Sequence, residues 1–276
     1  MAGSTGCPFW SSSPTQQQAK ILRLLVDHHF KFKKVAALFY SSAGTTRAVF
    51  QVHSDDDGVT RAAEAVTFPM LAGWMVCVGP PGGIQLRSGR QIVTGYFSRM
   101  SGGRLLARCF ILFNDDSTWA SANSWTLGAL SSSDDFCDEN QAAESWNGTL
   151  FLAVRGNASW RQFAYSCDQG ETMTRPVALP IPEPPGGCEG SLVTIMNSLL
   201  NGTVVLYSGI ADPVARDHLT LWASNDDGAN WLNLQTIDVG SSAYSSMVVP
   251  LVGAMVDIVY EKDNYRLVVH TTLKPF

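Results

Sequence analysis

Short apolar runs separated by turn residues repeat along the whole chain. Each run has the length of one β-strand and is rich in β-branched or aromatic residues, which favour strands. Six clear examples occupy residues 35–40, 104–113, 149–154, 203–208, 219–223 and 265–270. The chain also contains 24 glycines and 13 prolines, which supply turns between such runs. This pattern predicts an all-β protein, built as a sandwich, a barrel or a propeller.

A polar frame recurs between these predicted strands. Its clearest copy is Ser224-Asn-Asp-Asp-Gly-Ala-Asn-Trp231, and residues 166–173 and 54–61 repeat its Ser, Asp and Gly positions. Residues 113–119 resemble the same frame with one residue deleted. The copies recur about every 57 residues, the length of one four-stranded propeller blade with its loops. We therefore expect a propeller rather than a sandwich or a barrel.

The residues of the frame are expected to be structural. An Asp side chain folds back onto backbone N–H groups, Gly supplies a positive φ, and Ser or Thr adds a hydroxyl partner. The Trp that follows packs as a hydrophobic peg between neighbouring sheets. We accordingly place Asp56, Asp168 and Asp226 in turns and not in an active site.

Composition and charge exclude several classes of protein. Hydrophobic residues make up 45% of the chain and charged residues 16%, which excludes a disordered chain. The net charge of -5 argues against a nucleic-acid partner, because phosphate binding needs clustered Lys and Arg. The longest uncharged apolar run, residues 247–256, is about half the length of a membrane span. Motifs for zinc, phosphate or nucleotide binding are missing from the sequence, so we predict no metal and no cofactor.

The cysteines and sequons bear on the compartment. The six cysteines are widely spaced, and both disulfides and buried thiols fit them. Three N-glycosylation sequons start at Asn147, Asn157 and Asn201 and favour the secretory pathway. The first 20 residues lack the apolar core of a signal peptide, which argues the other way. The localisation therefore stays open.

Several motifs, in a fixed order along the chain, resemble the sialidase (exo-α-neuraminidase) family. They begin with the Gly-Ile-Gln-Leu segment at 83–86, the Ser-Gly-Arg segment at 88–90 and Gly95-Tyr96. Asp-Glu-Asn at 138–140 follows, and then Arg155 and the Gly-Cys-Glu-Gly-Ser segment at 187–191. The last matches are Arg-Asp-His-Leu-Thr at 216–220, Ser-Ala-Tyr-Ser-Ser at 242–246 and Val-Tyr-Glu at 259–261. In this family the polar frame is known as the Asp box.

The resemblance implies a fold and a division of the chain. Sialidases are six-bladed β-propellers, and the matches to the blade motifs here cover about five blades. We expect residues 1–45 to be a divergent N-terminal segment and residues 46–276 to form the sialidase-like propeller domain.

The resemblance also implies a set of site residues. Arg155 and Arg216 match two members of an arginine triad that holds the carboxylate of sialic acid, as paired guanidinium hydrogen bonds can. Tyr244 matches the nucleophile and Glu139 the partner that takes and returns its proton. A neutral Tyr avoids the repulsion that a carboxylate nucleophile would meet beside the anionic substrate. Tyr96 matches a region that lines the pocket. Retaining hydrolysis of terminal sialic acid on a glycoprotein, glycolipid or oligosaccharide is the implied activity.

Two features of the family have no counterpart in the sequence. The first blade of sialidases carries the third Arg in a Tyr/Phe-Arg-Ile-Pro motif, and an Asp that acts as general acid and base. A sialic-acid-binding propeller with impaired catalysis is therefore the alternative to an active sialidase. A transferase and a propeller used for protein interaction are further readings, and the last of these predicts no convergence of Arg155, Arg216, Glu139 and Tyr244.

Overall fold

The computed structural model describes residues 25–26, 35–43, 46–54, 62–66, 73–80, 82–116, 122–133, 135–197, 202–250 and 255–274. Apart from a single 3-10 turn at Ala122–Ser124, the regular elements within these ranges are strands. The strands are β1 (Leu25–Val26), β2 (Val35–Ala43), β3 (Thr46–Ser54), β4 (Ala62–Val66), β5 (Met75–Val78), β6 (Ile84–Gln85), β7 (Gln91–Ser101), β8 (Arg104–Asn114), β9 (Thr126–Leu130), β10 (Asn140–Glu144), β11 (Leu150–Val154), β12 (Trp160–Ser166), β13 (Val177–Pro182), β14 (Ser191–Asn197), β15 (Gly202–Ile210), β16 (Asp217–Ser224), β17 (Leu232–Val248), β18 (Val256–Lys262) and β19 (Leu267–Leu273).

The strands form antiparallel sheets in which neighbours in the chain are neighbours in space. One sheet holds β1 to β4, the next holds β5, β7, β8 and β9 with β6 beside β7, and a third holds β10 to β13. The last holds β14 to β19. This meandering order is that of propeller blades. The all-β prediction is confirmed, and each of the six runs read from the sequence contributes a strand.

The long strand β17 belongs to two units. Its first part, Leu232–Ser241, pairs with β16, and its second part, Ser242–Val248, pairs with β18. The outer strand of the unit β14–β17 thus continues directly as the inner strand of the unit β17–β19. Counted in this way, the described strands form five successive units. The expected division at residues 45 and 46 falls at the tip of the β2–β3 hairpin, and it stays a prediction.

Hydrophobic cores lie between successive sheets. Phe163 on β12 and Tyr207 on β15 are fully buried in one of them, and Trp231 joins both. The ring of Trp231 lies 4.9 Å from that of Phe163 and 6.4 Å from that of Tyr207. Trp231 therefore packs between two neighbouring sheets, as the sequence predicted for the Trp of the frame. Tyr207 is thus a residue of the hydrophobic core.

Two copies of the polar frame form turns with the same hydrogen bonds. In the first, Ser166 Oγ donates to Asp168 Oδ1 over 2.9 Å, and the backbone N–H of Gly170 donates to Ser166 Oγ. Thr172 donates to Asp168 through its N–H and its hydroxyl, at 2.9 and 2.6 Å. The second turn repeats this pattern with Ser224, Asp226, Gly228 and Asn230. In both turns the carboxylate caps its own loop, which is the structural role expected.

The other two copies differ or lie outside the described residues. Asp115 forms an ion pair with Arg90 at 2.7 Å, and Asn114 Oδ1 instead accepts the N–H of Asp116. The remaining part of that frame and residues 55–61, which include Asp56, fall outside the described ranges.

Both expectations for the cysteines are met in part. Cys109 on β8 forms a disulfide with Cys137, which directly precedes Asp138 and Glu139. Cys77, Cys167 and Cys188 are thiols, and Cys7 lies outside the described residues. Of the sequon asparagines, Asn147 and Asn157 are exposed, and Asn201 is outside the described residues.

Candidate active site

The hairpin β10–β11 brings Glu139 and Arg155 together. Both residues extend its ladder by one pair, because the N–H of Arg155 donates to the carbonyl of Glu139 over 2.9 Å. The spacing of 16 residues between them is the length of the two strands and their turn. A backbone pair places two side chains within reach of each other on one face of a sheet.

Tyr244 reaches this pair from the strand β17 of the last unit. Its hydroxyl donates to Glu139 Oε1 over 2.6 Å. Arg155 Nη1 donates to Glu139 Oε2 over 2.5 Å and to the oxygen of Tyr244 over 3.1 Å. The phenol, the carboxylate and the guanidinium therefore form a closed triangle of hydrogen bonds. Glu139 is only 5% exposed, so these contacts operate largely away from solvent.

The electrostatics of the triangle keep the phenol protonated at rest. Burial and the Glu139 carboxylate raise the pKa of Tyr244 well above its ordinary value, and Arg155 partly opposes them. Burial alone would lower the pKa of Arg155, but the Glu139 carboxylate raises it above the usual value. The site thus holds a neutral phenol, hydrogen-bonded to a carboxylate that can accept its proton, beside a permanent positive charge.

Arg216 joins the same neighbourhood immediately before β16. Its Cζ lies 5.8 Å from the centroid of the Tyr244 ring. Its Nη2 donates to the carbonyl of Gly187 over 3.1 Å, and its Nη1 donates to the hydroxyl of Tyr265 over 2.7 Å. The structure therefore brings Arg155, Arg216, Glu139 and Tyr244 together. This convergence is what the protein-interaction reading did not predict.

Tyr96 lies on the neighbouring strand β7, opposite Cys77 of β5. Burial, and after it the nearby Cys77 and Asp138, raise the pKa of Tyr96 above its ordinary value, and Glu139 adds a smaller effect. Tyr96 is thus close enough to Glu139 to feel its charge. Its expected place in a pocket wall stays a prediction.

Three further residues contact the site without a role predicted from the sequence. The hydroxyl of Tyr265, in the turn between β18 and β19, accepts from Arg216. Glu189 Oε2 accepts the backbone N–H of Ser245, the neighbour of Tyr244, over 2.9 Å. Glu261 Oε2 lies 3.4 Å from the backbone nitrogen of Tyr244. Glu189 and Glu261 belong to quoted motifs, so the motifs contained the signal without revealing these contacts.

A group of possible metal ligands lies on the surface near Arg216. Asp212, Asp217 and His218 have donor atoms within 4.8 Å of one another. Asp212 already accepts the N–H groups of Val214 and Ala215, and Asp217 lies 2.7 Å from the His218 ring. These hydrogen bonds account for the arrangement of the group within its own loop, so we propose no metal site there.

Within the described ranges, no helix is long and apolar enough to cross a membrane.

Comparison with protein families gives one match. The model of the BNR repeat-like domain matches residues 10–256, which is most of the chain. A search of curated proteins found no match.

Solved structures with a similar fold include sialidases and trans-sialidases. The Hadza microbial sialidase Hz136 superposes with a TM-score of 0.73 at 24% identity, over 90% of this chain and 51% of its own. The intramolecular trans-sialidase of Ruminococcus gnavus gives a TM-score of 0.66 at 19% identity, over 82% of this chain and 50% of its own. The Trypanosoma rangeli sialidase gives a TM-score of 0.66 at 18% identity, over 93% of this chain and 44% of its own. The chain thus spans about half the length of the first two of these proteins.

Proposed function

The chain belongs to the BNR repeat-like domain family and has the fold of a sialidase-type β-propeller, and from this premise we propose that it is a retaining exo-α-sialidase. The hydrogen bond of 2.6 Å between the Tyr244 hydroxyl and Glu139 Oε1 carries the proposal. A lectin or a protein-interaction module has no need for a nucleophile held against a base. We also propose that the turns at 166–173 and 224–231 are the Asp boxes of this family.

Arg155 and Arg216 are proposed to bind the carboxylate of the sugar. Both guanidiniums border Tyr244, and both carry positive charge at any physiological pH. A carboxylate that accepts two charge-assisted hydrogen bonds is held in position and orientation. The anomeric carbon of a terminal sialic acid, which bears this carboxylate, would then lie next to the phenol.

Tyr244 is proposed as the nucleophile and Glu139 as its base. A second carboxylate attacking beside the substrate carboxylate would meet repulsion, whereas the protonated phenol approaches without charge. As the bond from Tyr244 Oη to the anomeric carbon forms, the phenol proton passes to Glu139 Oε1 and the glycosidic bond breaks. In the second step water attacks the anomeric carbon of the glycosyl-tyrosine from the face that the leaving group has vacated, opposite Tyr244. The bond to Tyr244 Oη breaks, the phenol regains its proton from Glu139, and the proton that the water loses balances the charge of the departed leaving group. Two inversions leave the anomeric configuration unchanged.

The two arginines, Tyr244 and Glu139 provide no proton donor for the glycosidic oxygen of the leaving group. General acid catalysis is typically worth about 10²–10⁴ in rate, so natural glycosides, whose leaving group is an alcohol, depend on it. A nitrophenolate leaves without protonation. The rate ratio between an aryl sialoside and a natural sialoside therefore measures whether another group supplies this proton.

The proposed substrates are sialylated glycoproteins, glycolipids or oligosaccharides, with Tyr96 lining the pocket. Two of the similar structures are described as intramolecular trans-sialidases, from Ruminococcus gnavus and from leech. A transferase shares the covalent step and differs only in the acceptor. Identification of the product therefore belongs to the test.

The test is turnover of a nitrophenyl sialoside by the wild type and by Tyr244→Phe, with the product followed by NMR. We expect the wild type to release the α-anomer of free sialic acid first. Tyr244→Phe should lose at least about 10³-fold in kcat, because a phenyl ring offers no nucleophile. Calorimetry with sialic acid should show that the variant still binds. A wild type that binds sialic acid without cleaving the aryl substrate would establish the binding-protein alternative instead.

A further inference from the structure

We propose that the loop Gly186–Gly187–Cys188, the carbonyl loop, sets the positions of both arginines of the site. Its three successive carbonyl oxygens each accept a hydrogen bond from a different arginine. Arg155 Nε donates to Gly186 O over 3.0 Å, and Arg216 Nη2 donates to Gly187 O over 3.1 Å. Cys188 O accepts from Arg161 Nη2. The inference rests on the proposed function, since it concerns how the anion-binding arginines are held.

The buried ion pair of Arg161 and Glu183 anchors the carbonyl loop. Arg161 and Glu183 are 1% and 0% exposed, and Arg161 Nη2 contacts Glu183 Oε1. Burial, the largest effect, lowers the pKa of Arg161, but the Glu183 carboxylate and smaller effects of neighbouring groups together outweigh it and keep the guanidinium charged. Removing one partner of a buried pair leaves an uncompensated charge, so such a pair tolerates little movement. Arg161 is thus a support for the loop, while Arg155 and Arg216 face the site.

The backbone of the loop explains why two glycines are needed. Gly186 and Gly187 have φ values of +77° and +63°, in the left-handed region that other residues rarely adopt. The N–H of Gly187 donates to the carbonyl of Pro184 over 2.8 Å and closes the turn. Burial raises the pKa of the Cys188 thiol to about 12, so this residue stays neutral between the arginines.

Gly187 has a second requirement that Gly186 does not share. A Cβ on Gly187 would lie 2.9 Å from Arg155 Cγ and 2.9 Å from the carbonyl oxygen of Gly156. A Cβ on Gly186 would meet nothing within 4 Å. Gly187 is therefore a positioning residue: its missing side chain gives Arg155 the room to reach Glu139 and Tyr244.

Gly148, in the turn between β10 and β11, provides a matched control outside the carbonyl loop, since its φ is +87° and a Cβ there would meet nothing within 4 Å. Gly187→Ala and Gly148→Ala impose the same type of backbone strain, but only the first collides with Arg155. Both would be compared with the wild type by melting temperature, by calorimetry with sialic acid, and by kcat and KM on a nitrophenyl sialoside. A displacement of about 1 Å at a positioned group can cost about 100-fold in rate.

We expect Gly187→Ala to lose about 10- to 100-fold in kcat/KM and in affinity for sialic acid, and Gly148→Ala to stay within about threefold of the wild type. The melting temperature of Gly187→Ala should fall further than that of Gly148→Ala, because its Cβ also meets the carbonyl oxygen of Gly156. Equal losses of activity in both variants would overturn the proposal, because backbone strain alone would then explain them. Full activity in Gly187→Ala would overturn it as well.

Crystal structures give a readout that does not depend on activity or on the folding of the variant. The wild type with and without sialic acid should keep both arginines on their carbonyl oxygens within about 0.5 Å. Release of either carbonyl on binding would overturn the inference. If the wild type neither binds sialic acid nor cleaves a sialoside, the proposed function fails. In that case crystals of the wild type alone test the role of the carbonyl loop. The inference fails if Arg155 or Arg216 is found away from its carbonyl oxygen.

Discussion

The Tyr244 hydroxyl donates to Glu139 over 2.6 Å, although 105 residues separate the two along the chain. Glu139 precedes the first strand of the unit β10–β13, and Tyr244 lies on the first strand of the unit β17–β19. Neither unit contains the couple by itself. The assembly of successive blades around a common centre creates it, so the proposed chemistry depends directly on the fold.

Replacement of the proposed base gives the first prediction. Glu139→Gln keeps the shape of the side chain but cannot accept the phenol proton as a carboxylate does. We expect kcat on an aryl sialoside to fall by about 10²–10⁴-fold, the usual contribution of a positioned base. The ion pair with Arg155 is lost as well, so the melting temperature should also fall.

Glu144→Gln is the matched control for this variant. Glu144 is the last residue of β10, the strand that Glu139 directly precedes, and it pairs with Arg87 on the surface, away from Tyr244. Its activity should equal that of the wild type. Equal activity of Glu139→Gln and Glu144→Gln would remove Glu139 from the mechanism.

The second prediction concerns the two arginines that are proposed to bind the carboxylate of the sugar. Arg216→Gln removes one charged donor, which is worth about 1.5–3 kcal/mol in a hydrogen bond to a charged partner. The dissociation constant for sialic acid should therefore rise by about 10- to 150-fold. Arg216→Lys should recover only part of this loss, because an ammonium group lacks the paired geometry of a guanidinium.

Binding is measured by calorimetry, with Arg175→Gln as the control. Arg175 forms an exposed ion pair with Asp135 at 2.5 Å. Its loss should leave the affinity unchanged. An Arg216→Gln variant that binds sialic acid as tightly as the wild type would show that the carboxylate lies elsewhere.

The sequence predicted the fold well because its signals are local. The apolar runs gave the strands, and the frames at Asp168 and Asp226 are turns whose bonds stay within a few residues. The last run was predicted to start at Tyr265, but β19 starts at Leu267. Asp263, Asn264 and Tyr265 all have positive φ values, and no glycine in this turn reveals them.

The site was predictable only as a set of side chains. The order of the motifs identified Glu139, Arg155, Arg216 and Tyr244, and hairpin geometry accounts for the first two. The carbonyl oxygens of Gly186 and Gly187 could not be predicted, because every residue has such an oxygen and only the backbone path aims it. The disulfide partner of Cys137 was equally open, since spacing alone does not choose among six cysteines.

The third prediction concerns this disulfide. The bond between Cys109 and Cys137 closes a loop across a sequence separation of 28 residues, directly before Glu139. A loop of this length contributes about 3.5 kcal/mol through the entropy of the unfolded chain. Cys109→Ala/Cys137→Ala should therefore melt several degrees below the wild type, and its kcat on an aryl sialoside should fall, because the segment before Glu139 is no longer tethered.

Reductant and a second variant serve as controls. Both cysteines are fully buried, so the disulfide of the native wild type should resist a mild reductant. The wild type should lose its higher melting temperature only when it is unfolded with the reductant present. Cys167→Ala removes an exposed thiol and should melt like the wild type. A double variant that melts like Cys167→Ala would show that the bond contributes no stability.

The last prediction is a pH dependence of stability that comes from Asp168. Slight burial opposes ionisation, but hydrogen bonds from Thr172 and Ser166 prevail and lower the pKa of Asp168 below the ordinary 3.8. The folded state therefore favours the carboxylate, and the stabilisation is present above pH 3.8 and lost as the pH falls through the lowered pKa. Asp168→Asn should melt about 2–4 °C below the wild type at pH 7, and this gap should begin to shrink near pH 3.8 and keep shrinking as the pH falls further. Asp227→Asn is the control, since Asp227 lies in the other turn with a φ of +55° that Asn also adopts. A gap for Asp168→Asn that stays constant down to pH 3 would contradict the assignment of its hydrogen bonds to the ionised carboxylate.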